Sequence, residues 1–76
     1  MTSLKRDILD FADTNPGFTN PELLKHIKAK RKMTQPTEVF AALKDMTEGE
    51  KPKLTRKEEF ESGRHGKYVV YHYWRA

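Results

Sequence analysis

Cysteine is absent from these 76 residues, so no disulfide staples the chain and no thiolate can hold a zinc ion. That absence also suits a reducing compartment. No apolar run approaches the roughly 18 residues of a membrane span. Residues 1–7 contain no apolar stretch of the secretory-signal kind. The expectation is an intracellular, cytoplasmic protein with no membrane partner. The three histidines, His26, His65 and His72, have neither cysteine partners nor an i, i+4 ligand spacing. No Ser-His-Asp arrangement is visible, and no glycine-rich loop leads from a strand into a helix. A chain this short makes one domain, 1–76. Its core is thin, because only about 60% of the unfolded surface is buried at this size. Such a core leaves little room for a closed pocket. Together these absences argue against an enzyme and against any metal or cofactor.

What is present is charge, and its distribution says more than its total of +4. Residues 1–20 balance to −1, with Lys5 and Arg6 against Asp7, Asp10 and Asp13. Residues 21–34 balance to +4, with Lys25, Lys28, Lys30, Arg31 and Lys32 against Glu22. Residues 35–50 balance to −3, and residues 51–76 return to +4. Two basic blocks flank an acidic one. Concentrated Lys and Arg attract phosphate and release counterions, which points to a polyanion.

Residues 1–50 carry helical spacing. A first helix is predicted over about 3–14, capped by the Ser3 hydroxyl, with Leu4, Ile8, Phe11 and Ala12 on one stripe and Leu9 widening it. Asn15-Pro16-Gly17 ends it, because Pro16 disfavours helical geometry at Asn15 and Gly17 permits a positive φ. A second helix is predicted over about 20–30. Thr19 and Glu22 have capping-box spacing, Pro21 sits in the first turn, and Leu23, Leu24 and Ile27 face inward. Lys25, Lys28 and Lys32 fall on another face. A third helix is predicted over about 35–48, with Val39, Phe40, Leu43 and Met46 inward and Gly49 and Pro52 as stops.

After Pro52 the period changes. Residues 54–61 read as a strand of mixed character and 67–74 as a strong one, almost entirely β-branched and aromatic. Ser62-Gly63-Arg64-His65-Gly66 supplies the hairpin loop. The alternation allows Val70 and Trp74, or Val69 and Tyr71, to face the helices, and it does not choose between them.

The segments Phe18-Thr19-Asn20-Pro21-Glu22-Leu23-Leu24 and Val39-Phe40-Ala41-Ala42-Leu43-Lys44-Asp45-Met46, followed by a glycine-flanked hairpin, resemble the winged-helix branch of helix-turn-helix proteins. The resemblance covers the whole chain and is one of architecture. It implies an α+β fold of three helices and a two-stranded antiparallel hairpin, the wing. It also implies a partner, double-stranded DNA, with the third helix in the major groove and the wing on backbone or minor groove. The function that follows is a small DNA-binding regulator of transcription.

The residues themselves suggest where contact would fall. Arg64 and His65, with Lys67 after them, form a basic hairpin tip able to reach phosphates or a narrow minor groove. Lys25, Lys28, Lys30, Arg31 and Lys32 suit a phosphate backbone, which supplies affinity without sequence information. On the third helix Gln35 suits adenine, Thr37 a phosphate or thymine methyl, and Glu38 cytosine N4. Lys44 is that helix's sole cation. The helix carries no arginine and is net negative, so a protein partner docked on this acidic helix or on the wing is the alternative. The aromatic final strand also raises homodimerisation through its edge, leaving monomer and homodimer both open.

Overall fold

The computed structural model describes residues 3–76, so Met1 and Thr2 of the N-terminal reading lie outside it. Its elements run α1 (Leu4–Thr14), β1 (Phe18–Thr19), α2 (Asn20–Lys30), α3 (Pro36–Glu48), β2 (Leu54–Gly63) and β3 (Gly66–Arg75). The architecture is α+β, three helices against a three-stranded antiparallel sheet of order β1-β3-β2. The sequence reading anticipated two strands. The third arises because Phe18 and Thr19 pair with Tyr73 and His72. No helix among the described residues is long and apolar enough to cross a membrane.

The helix boundaries follow from local chemistry. Ser3 Oγ accepts the Arg6 amide at 3.2 Å and caps α1. At α2 the capping box forms only in part: Thr19 Oγ1 donates to Glu22 Oε1 at 3.0 Å instead of accepting a backbone amide. Gln35 caps α3 in extended geometry without a side-chain bond, and Pro36 opens the helix where no amide is needed. Gly17 adopts φ +80°, and a Cβ there would sit 3.3 Å from the Trp74 ring. The turn into β1 therefore needs glycine for its backbone and for the close approach of Trp74.

The core is Ile8, Leu9 and Ala12 of α1, Phe18 of β1, Leu23 and Ile27 of α2, Val39, Ala42, Leu43 and Met46 of α3, with Leu54 and Tyr73 from the sheet. Phe18 stacks on Tyr73 at 5.2 Å and meets the edge of Phe11 at 5.3 Å. Phe40 corrects the sequence reading. It is 43% exposed, and Ala42 takes its inward place. Val39, Ala42, Leu43 and Met46 follow i, i+3, i+4, i+7, which leaves Phe40 off the buried stripe. On β3 the inward residues are Tyr71 and Tyr73, the latter 5% exposed, which resolves the alternation left open by sequence.

The hairpin is longer and its loop tighter than the sequence implied. Pairing runs from Leu54↔Arg75 out to Gly63↔Gly66, leaving only Arg64 and His65 in the loop. Gly66 takes φ +110° and absorbs the chain reversal, while among the described residues none other than glycine has a positive φ. β2 beyond Leu54 is exposed throughout. β3 is the middle strand, flanked by β1 at Tyr73 and His72 and by β2 along its length. The C-terminal half of the aromatic strand is therefore not the free edge a dimer would need. The outer edge is β2, whose Arg56-Lys57-Glu58-Glu59 run is of the charged type that discourages strand addition.

Candidate nucleic-acid interface

The basic run at the end of α2 does not act as one patch. Asp7, on the buried side of α1, has a side chain with no solvent exposure. Lys30 Nζ lies 3.1 Å from its Oδ1, and Arg31 Nε donates to its Oδ2. An ionised carboxylate without solvent needs partners of opposite charge, and these two cations are drawn to it. Lys30 and Arg31 were expected at a phosphate backbone. In the structure both bridge α1 and the end of α2, with half of the Lys30 side chain still exposed.

Lys25, Lys28 and Lys32 have a different setting. All three line a groove of about 560 Å³ between α2 and the start of α3, floored by Leu24, Ile27, Pro36 and Val39 and bordered by Thr34 and Gln35. No acidic residue lines it. The Thr34 amide bonds the Arg31 carbonyl at 3.2 Å, so the turn that leads into α3 is fixed. Gln35 and Thr37 are exposed at the first turn of α3, where the helix dipole favours an anion. Three lysines and a helix start thus converge on one concave surface.

A second hollow, of about 270 Å³, lies on the other flank of α3, between that helix and the sheet. Phe40, Lys44, Thr47 and the acidic Glu48 line it from α3, Arg56 and Tyr71 from the hairpin, and Asn20 from α2. Arg56 sits 4.7 Å over the Tyr71 ring, a cation–π contact that holds the guanidinium on this face. Lys44 is therefore beside a second cation that sequence reading did not single out. Arg56 was missed because its face depends on the strand register, which a five-residue loop estimate left undetermined.

Arg64 and His65 are exposed at the end of the hairpin farthest from the core, with Lys67 just behind them. None of the three lines the α2–α3 groove. The tip and the groove are separate contact points on a molecule 42 Å in its longest dimension. The remaining acidic residues of α1 are taken up at the surface: Asp10 pairs with Arg6 at 3.4 Å and Asp13 with Arg75 at 3.3 Å. Such exposed pairs contribute at most about 1 kcal/mol each. Among the described residues no cluster of histidine and carboxylate side chains has the makings of a metal site.

Comparison of the chain with protein-family models, with curated proteins and with solved structures finds no match.

Proposed function

We propose that this chain is a small double-stranded DNA-binding protein of winged-helix type, acting in transcription regulation and gripping phosphates through the α2–α3 groove and the hairpin tip. The observation that carries the proposal is the convergence of Lys25, Lys28 and Lys32 on a groove without a carboxylate. A polyanion satisfies those cations at once, and each phosphate neutralised releases condensed counterions. Gln35 and Thr37 stand beside the groove, positioned for base or backbone contact. The hairpin, as the wing, adds Arg64 and Lys67 at a second point along the duplex.

The test is a fluorescence titration of a generic duplex across a salt series. Affinity is expected to fall steeply with salt, with a log–log slope of about −0.9 per phosphate contacted. The absence of any binding at low salt would remove the proposal.

A second reading has its own observation. Phe40 is 43% exposed on a helix carrying Glu38, Asp45 and Glu48 and no arginine. An exposed ring on one side of α3 and acids on the other suit a protein partner. Amide shifts confined to residues 35–50 on adding a partner, with none on adding DNA, would favour it.

A further inference from the structure

The hairpin has two chemically different faces, and the strand register assigns every residue to one of them. Directly paired residues share a face. Arg56, Glu58, Phe60 and Ser62 therefore lie with Tyr73, Tyr71, Val69 and Lys67 on the inner face, the one that meets the core. Lys57, Glu59 and Glu61 lie with His72, Val70 and Tyr68 on the outer face. Two of the hairpin's three carboxylates are on the outer side, and one of them, Glu61, is engaged there. The Tyr68 hydroxyl donates to Glu61 Oε2 at 3.1 Å, and His72 Nε2 lies 3.5 Å from Glu59 Oε2. The inner face keeps Lys67 towards the tip and Arg56 towards the core, with Glu58 as its single acid.

Between those cations stands an apolar pair. Phe60 is 71% exposed and its direct partner Val69 is 42% exposed. Val69 is β-branched and stiff at χ1, so it makes a firm base for the ring beside it. Among the described residues no ring–ring contact involves Phe60, whereas Phe11, Phe18 and Tyr73 all make ring contacts in or against the core. The pair is too small to hold a second copy of the chain. Phe60 and Val69 together offer roughly 200 Å² of exposed apolar surface, against about 800 Å² per partner in a stable protein interface.

We propose that the inner face of the hairpin lies in the minor groove of duplex DNA, with Phe60 entering between two base pairs as an apolar wedge, so that the protein bends the DNA it binds. This rests on the DNA-binding reading above. The flanking cations match the phosphates on either side: Arg56 is four residues from Phe60, about 13 Å along the strand. An undistorted minor groove, about 6 Å wide, is too narrow for a two-stranded ribbon. A wedge that unstacks one step opens the groove and kinks the duplex towards the major groove. The major groove would accept the ribbon unbent. Its base edges are read through donors and acceptors, which Glu58, Ser62 and Lys67 could meet, but the exposed Phe60 ring at the centre of the face offers neither, and an apolar ring is the kind of group that enters an opened minor-groove step.

The experiment uses the full chain and an A·T-rich duplex with end-labelled dyes for bending and an internal 2-aminopurine for unstacking. The wild type is expected to shorten the end-to-end distance and brighten the 2-aminopurine. Phe60→Ala should lose both signals and about tenfold in affinity, the scale of one lost stacking contact. Phe60→Leu should keep part of the bend. The thermal midpoint and the salt slope should be unchanged in both variants, since Phe60 is outside the core and uncharged. Wild-type binding without bending, or equal bending by Phe60→Ala, overturns the wedge and leaves DNA binding standing. A change in sedimentation of Phe60→Ala with DNA binding unaltered overturns it in favour of self-association. Failure of the wild type to bind any duplex at low salt removes both readings together.

Discussion

Five cations lie between Lys25 and Lys32, and the fold divides them by what each one faces. Lys30 and Arg31 turn to a carboxylate that has no water around it, and Lys25, Lys28 and Lys32 turn to an open groove. The first pair is committed to Asp7, Arg31 more fully than the half-exposed Lys30. The second set has its charge on offer. Position along α2 decides the outcome, since Lys30 and Arg31 reach back across the helix end to Asp7 on α1. A basic run is thus a poor measure of a binding footprint until the buried acids have taken their share.

The sharpest way to break this contrast is to remove the acid. Asp7→Asn should destabilise the domain by about 3 kcal/mol. That is the low end of the cost of stripping one member from a buried pair, because the Lys30 side chain is 49% exposed and can turn to water. For a domain of this size that is a fall of roughly 12–24 °C in thermal midpoint, readable by circular dichroism. A loss of only a few degrees would show that the two cations are as well placed in solvent, and the division would collapse. The next effect is on binding. Lys25→Ala, Lys28→Ala and Lys32→Ala together should leave stability within about 0.5 kcal/mol and flatten the salt dependence of duplex binding by about three contacts' worth of slope. Lys30→Ala with Arg31→Ala should do the opposite, lowering the thermal midpoint and keeping the slope. Equal slopes for the two sets would mean that the groove is not the phosphate site.

The same division explains what the sequence made legible. Three helices, their stripes and the hairpin were readable, because Ile8, Ala12, Leu23, Ile27, Val39, Leu43 and Met46 keep helical spacing and residues 67–74 are β-branched and aromatic. Ser3 and Gly17 acted as their chemistry requires. Asp7 was not legible as a core residue. A lone acid one turn after Ser3 looks like a helix-start charge, and its burial depends on partners 23 and 24 residues away. Phe40 was misplaced because a phenylalanine next to Val39 fits a widened stripe as well as it fits a neighbouring face. The groove was half visible: Lys25, Lys28 and Lys32 shared a face by spacing, while their meeting with Gln35 depended on how α3 packs. Arg56, Phe60 and Val69 were hidden by register, since a one-residue change in the pairing moves every side chain to the opposite face.

The smallest expected effect extends the contrast to the hairpin, where Glu61 is engaged on the outer face as Asp7 is in the interior, but in full solvent. The hydrogen bond that Tyr68 donates to Glu61 raises its phenol above the ordinary value of 10.0, and the nearby carboxylate charge adds to it. A raised value in the folded state means that the unfolded chain releases this proton first. The contribution to stability is complete below the ordinary tyrosine range and is lost as pH rises through the folded value. Alkaline titration of the Tyr68 ring by NMR should place its midpoint above that of an unstructured tyrosine, and Glu61→Ala should bring it back down. The thermal midpoint at neutral pH should hardly respond, because an exposed pair gains little. A Tyr68 midpoint indifferent to Glu61→Ala would return that carboxylate to solvent. The outer face would then be as open in charge as the inner one, and the sorting of the hairpin into an engaged side and an offered side would fail.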